Sequence, residues 1–146
     1  MTEGLSMPHS PRAHRGSVWV LDSGRGHICR IDAKSGAREA IGFYPGFLRV
    51  LPSSTTSLSP HSLPASHRAF RRIGTRRELA RRKAAAWCGI IIVDIRNGEM
   101  VEWLRFTREV RELFDIALIP NVRCPRGLAF DNAALKDAIS VEDAAN

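Results

Sequence analysis

Four polar residues, spread widely along the chain, are the ones through which it could do chemistry: His9, Arg12, Asp22 and Asp94. Imidazole and carboxylate groups together would suit a divalent ion acting as a Lewis acid. No two of them stand at a spacing typical of metal ligands. They would meet only if the fold gathered them around a common opening. They are therefore read as a ligand-binding set, with no catalytic residue, resident metal or cofactor assigned. Asp94 also has an ordinary role, because an Asp at a strand end accepts hydrogen bonds from turn amides.

Other stretches carry weaker chemical signals. The run Asp22-Ser23-Gly24-Arg25-Gly26-His27 could cradle an anion through its amides. It has neither the spacing nor the Lys of a P-loop and reads as a hairpin turn. Cys88 beside Gly89 could be a nucleophile, yet next to an apolar strand it reads as a small buried residue. Trp19, Trp87 and Trp103 sit in or beside apolar strands and read as core. Cys29, Cys88 and Cys124 form no CxxC pair, so neither a zinc ribbon nor a disulfide framework is implied. A reduced, cytoplasmic setting is the expectation.

The elements that must position these residues centre on residues 87–106. Ile90, Ile91, Ile92 and Val93 are β-branched and consecutive, as in a strand buried on both faces. Asn97-Gly98 favours a tight hairpin turn, and Met100, Val101, Trp103, Leu104 and Phe106 carry the chain back. Glu102 and Arg105 interrupt the apolar residues where one face meets water. The phrase Val93-Asp94-Ile95-Arg96-Asn97-Gly98 has an earlier counterpart, Ile31-Asp32-Ala33-Lys34-Ser35-Gly36. Two copies of strand, Asp, turn, Gly, strand point to a repeat of antiparallel hairpins.

Further strands are expected at residues 18–21, 27–32, 38–43 and 116–119, and a bend at residues 44–47. Residues 7–15, rich in Pro and His, read as an irregular approach. Residues 76–87 consist of helix formers and predict a short helix, and residues 132–139 a second.

At 146 residues the chain is long enough for one core-forming domain, and 44% hydrophobic content is that of a globular protein. No apolar run approaches the ~20 residues needed to span a bilayer, and the first residues do not read as a secretory signal. The net charge of +7 is uneven. Residues 49–83 hold nine Lys or Arg and one acidic residue, a net +8, which leaves −1 for the rest. Arginines within residues 68–83 could neutralise phosphates, but aromatic residues hardly interleave with them, and nucleic acid is not the expected partner.

Several landmarks in order resemble one family: residues 4–12, Trp19-Val20-Leu21-Asp22-Ser23-Gly24, and Pro45-Gly46-Phe47-Leu48-Arg49. Cys88-Gly89, Val93-Asp94 with Gly98, Trp103-Leu104-Arg105 and residues 118–123 continue the series. The family consists of uncharacterised, conserved hypothetical bacterial proteins, sometimes joined to tetratricopeptide repeats. The resemblance implies a propeller-like fold and carries no catalytic residue. This chain is similar only to the C-terminal part of longer members. It departs from their pattern after Arg49 and returns near Arg77, so residues 50–76 are expected to be a disordered basic loop or a segment read in a shifted frame.

The expected fold is therefore all-β, a partial propeller-like array of hairpins with one short helix. It divides into a hairpin unit at residues 4–49, the loop at 50–76, a second unit at 77–130 and a tail at 131–146. The function that follows is a non-enzymatic binding module for a protein or small-molecule ligand, with a truncated, non-functional fragment as the expectation beside it. A lactonase-like metal-dependent hydrolase and nucleic-acid binding through residues 68–83 are the alternatives. Strand edges left exposed by an incomplete array would favour self-association.

Overall fold

A computed structural model of the chain describes residues 2–52, 57–58, 61–63, 74–107, 110, 112–117, 119–123 and 127. Four strands come first: β1 (Pro8–His14), β2 (Ser17–Asp22), β3 (His27–Asp32) and β4 (Arg38–Phe43). They form one antiparallel sheet in the order β1-β2-β3-β4, each strand lying beside its neighbour in sequence. The bounds of β3 and β4 are those expected from the sequence.

The Pro- and His-rich stretch expected to be irregular is instead β1. It forms the edge of its sheet, where Pro costs no interior ladder bond. A bulge between His9 and Arg12 takes up Ser10 at φ 50°, and the Ser10 hydroxyl donates to the Arg49 carbonyl at 2.9 Å. Arg15 and Gly16, at φ 49° and 74°, make the tight turn that opposes His14 to Ser17.

A second sheet is built from β5 (Phe47–Leu48), β6 (Ser57–Leu58), β7 (His61–Leu63), β8 (Cys88–Asp94) and β9 (Glu99–Phe106). All its pairings are antiparallel, and β8 is central, with β7 and β6 along one edge and β9 along the other. Short strands thus lie within the segment read as a basic loop. Leaving β6 aside, the path β5-β7-β8-β9 repeats the simple back-and-forth course of the first sheet.

The two Asp turns occupy matching places, joining β3 to β4 and β8 to β9, the last two strands of each back-and-forth path. Asp32 Oδ1 accepts from the Ser35 amide at 2.7 Å, and the Gly36 amide donates to the Asp32 carbonyl at 2.9 Å. Asp94 Oδ1 accepts from the Arg96 amide at 2.9 Å, and the Gly98 amide donates to the Asp94 carbonyl at 2.8 Å. The repeat read from sequence is therefore a repeat of hydrogen bonding.

One core joins the sheets. Trp19, Leu21 and Ile28 from the first pack with Tyr44, Leu48, Leu51, Ile91 and Val93. Burying an aliphatic side chain of this size contributes about 1.5–3 kcal/mol. The Tyr44 hydroxyl donates to the Gly98 carbonyl at 2.8 Å, tying the end of β4 to the β8–β9 turn.

The helix α1 (Gly74–Arg81) starts earlier and stops sooner than expected. The Ala84 amide donates to the Leu79 carbonyl at 2.9 Å and the Lys83 amide to the Ala80 carbonyl at 3.2 Å, with Lys83 at φ 52°. This left-handed cap ends the helix although Ala84, Ala85 and Ala86 favour continuing it. At the other end, Thr75 donates from its amide to the Gly24 carbonyl at 2.6 Å and from its hydroxyl to the Ser23 carbonyl at 3.1 Å. The helix is thus pinned to the β2–β3 turn.

Residues 116, 117 and 119 carry no strand, contrary to expectation. This part of the chain is held by Arg49, which pairs with Glu112 at 3.1 Å and lies over the Phe114 ring at 4.8 Å. Leu118, the expected helix at 132–139 and the tail lie outside the described residues.

Candidate functional site

The four candidate residues are each engaged locally. Asp22, 3% exposed at the end of β2, accepts from the Ser6 amide at 2.8 Å and from the Arg25 guanidinium at 2.9 Å. His9 lies opposite Leu21 on β1, edge-on to the Phe47 ring at 5.3 Å, with Nδ1 2.9 Å from the Met7 carbonyl. Arg12 opposes Trp19 and donates to its neighbour, the Pro11 carbonyl, at 3.0 Å. Asp94 belongs to the other sheet, where Arg96 binds both its carboxylate oxygens. That guanidinium, with the Arg96 amide, draws the Asp94 pKa down to about 2. His9 and Asp22 are brought to neighbouring rungs of one sheet, while Asp94 is spent in its own turn. Among the described residues no group of three or more His, Cys, Asp or Glu is placed to hold a metal ion.

The Asp22–His27 turn spends its amides on carbonyls rather than presenting them to an anion. Gly24 donates to Ser6 at 2.8 Å, Arg25 to Asp22 at 3.0 Å and Gly26 to Ser23 at 3.3 Å. Its hairpin role stands. His27 is half-buried, edge-on to Phe43 at 5.7 Å, and burial lowers its pKa against the opposing pull of Asp22 and Glu78. Cys29 and Cys88 are both buried. Burial, aided by Asp22, pushes the Cys29 thiol up to about 11, and burial with Glu112 also raises Cys88. At both positions burial disfavours the thiolate that a nucleophile requires. Cys124 lies outside the described residues.

The basic helix is also partly engaged. Glu78 pairs with Arg81 at 2.8 Å and Arg82 at 3.3 Å, and Arg82 lies over the Phe43 ring at 4.6 Å. Arg68, Arg71 and Arg72 lie outside the described residues.

The surface that does stand out is β9. Trp19 is core, as expected at 5% exposed, but Trp103 is 61% exposed and does not belong there. Met100, Val101 and Leu104 are exposed beside it, and every β9 residue before Phe106 is exposed. β8 alternates buried Ile91 and Val93 with half-buried Ile90 and Ile92. The second face demanded by its β-branched run has no complete cover within the described residues. In the first sheet residues 2–6 are tied to strand ends and a turn. Thr2 donates to Gly36 at 2.7 Å, Ser6 to Asp22 at 2.8 Å and Arg38 to Glu3 at 3.2 Å.

The indole of Trp103 is set by its neighbours. Trp87 meets it edge to face, centroids 6.1 Å apart. Trp87 in turn lies against Gly89, where any Cβ would collide with its ring and with the Leu104 carbonyl. The one sequence signal for this surface was apolar residues at both parities of β9, a pattern equally typical of a buried strand.

Residues 1–128 match the sequence family of a domain of unknown function, DUF4915. The chain belongs to the DUF4915 family. No curated protein and no solved structure matches it. Both sheets, α1 and β9 fall inside the DUF4915 segment, so the exposed strand is part of the family domain rather than an appendage to it. Among the described residues of this DUF4915 chain, no helix is long and apolar enough to cross a membrane.

Proposed function

We propose that the chain is a non-catalytic, propeller-type binding module, whose two sheets are successive blade-like units and whose outer strand β9 receives an extended protein segment by strand addition. The observation that carries the reading is β9 itself, which among the described residues pairs with β8 alone and leaves Met100, Val101, Trp103 and Leu104 exposed. Such an edge offers a ladder of backbone donors and acceptors, while side chains alternating across it supply selectivity. The matching Asp32 and Asp94 turns support the blade reading, since repeated units place equivalent turns at equivalent strands. In a propeller each sheet is covered by its neighbours on both faces, and the far face of the second sheet lacks that cover among the described residues. Buried, unpaired Cys29 and Cys88 fit a reducing, cytoplasmic setting.

The test uses a fluorescently labelled, N-acetylated peptide of alternating Val and Thr, titrated by anisotropy. Saturable binding is expected, weakened about tenfold or more by Trp103→Lys, because a charge at a sheet edge blocks pairing. Absence of saturable binding, or equal binding by the variant, overturns the proposal.

A further inference from the structure

The binding-module reading leaves the identity of the extended segment open, and β9 carries a specification of its own. We infer that the segment is β9 of a second copy, paired antiparallel about a two-fold axis through Leu104. This inference rests on the strand-addition reading and names its partner.

Three observations lead to it. First, the β8–β9 ladder is regular from Glu102 to Phe106, where Ile92, Ile91, Ile90, Gly89 and Cys88 oppose the five residues in turn. Beyond Glu102 the register shifts, because Val93 pairs with Met100 and leaves Val101 in a bulge. Second, a two-fold pairing of antiparallel edges keeps each sheet face continuous. Opposed residues must therefore share a face, and the axis must pass through a residue rather than between two. Leu104 is the centre of the regular segment. An axis there pairs all five residues, whereas an axis at Trp103 sets Arg105 against the bulge.

Third, the side chains that this register brings together at residues 103–105 are complementary. Leu104 meets Leu104 of the other copy on the axis, and Glu102 meets Phe106. Trp103 meets Arg105, twice by symmetry. An arginine over an indole is the favoured cation–π pairing. In the isolated chain both groups are exposed, and Arg105 has no ion-pair partner among the described residues. Trp87 already orients the indole, so little freedom is lost when the pair forms. An exposed ring and a guanidinium without an ion-pair partner among the described residues, two positions apart on β9, are thus each other's partners across the axis.

Sedimentation velocity on the whole chain, over about a hundredfold range of concentration, gives the first test. A reversible dimer is expected, and Leu104→Lys, which sets two ammonium groups on the axis, raises its Kd at least about tenfold. Circular dichroism checks that this variant keeps its fold. The register is tested separately. W103R sets two guanidinium groups face to face and weakens the dimer, and mixing W103R with R105W restores it, because each mixed pair regains one indole opposite one guanidinium. In a Cys124→Ser background, mild oxidation cross-links Leu104→Cys between copies but leaves Val101→Cys uncoupled, since only residues opposed on the axis bring their Cβ atoms within disulfide reach.

A dimer indifferent to Leu104→Lys, or one that the mixture fails to restore, overturns the inference. So does a chain monomeric throughout. If that monomer still binds the Val/Thr peptide, strand addition stands and only self-pairing falls. If it binds neither, both readings fall together.

Discussion

Asp94 shows how a residue suited to chemistry can be absorbed by the fold. Its carboxylate holds the Arg96 amide at 2.9 Å and the Arg96 guanidinium, and its pKa falls from the ordinary 3.8 to about 2. A carboxylate with a depressed folded pKa stabilises the fold fully above its unfolded value. That stabilisation fades as pH drops through the folded value. Urea unfolding between about pH 4 and pH 2 should therefore show a shallower loss of stability in Asp94→Asn than in the parent. Parallel curves would show that the carboxylate contributes nothing in acid. Asp32, whose pKa is lowered by Ser35, repeats the arrangement in the first sheet. The turn role of both residues could be read from sequence, because Asp followed four positions later by Gly is a local pattern. The fate of Trp103 could not. An indole within an apolar strand looks the same whether or not a neighbour covers it, and Trp103 stays exposed although it shares a sheet face with the buried Ile91.

At the scale of elements, β3, β4 and the hairpin around Asn97-Gly98 follow from local patterning and turn chemistry. β1 does not, because a strand containing Pro8 and Pro11 exists only through the edge position and the bulge that tertiary structure supplies. The end of α1 is likewise set by the cap at Lys83 rather than by the helix-forming Ala84, Ala85 and Ala86. The element on which the most depends is the β8–β9 turn. Gly98 lies at φ 77°, any Cβ there would collide with the Ile41 carbonyl, and its own carbonyl receives the Tyr44 hydroxyl. Gly98→Ala therefore strains the backbone and pushes the turn away from β4 in one step. A loss of about 2 kcal/mol or more is expected by denaturant titration. A loss below about 0.5 kcal/mol, typical of a surface site, would mean that the turn is not docked on β4.

At the scale of the whole molecule, two sheets of similar course share a core, and the residues at their margins differ. Residues 2–6 hydrogen-bond to the first sheet at Asp22, Gly36 and Arg38, while the second carries β9 with Trp103 and Leu104 exposed. That asymmetry is the physical basis for a binding edge, and hydrogen exchange across residues 99–106 tests it most directly. In dilute protein, the β9 amides directed at β8 should be protected and those on the free edge should exchange rapidly. With the Val/Thr peptide bound at saturation, the free-edge amides should become protected, with no change in β1, β2, β3 or β4. Protection that does not rise on β9, or that rises on the first sheet instead, would contradict the account.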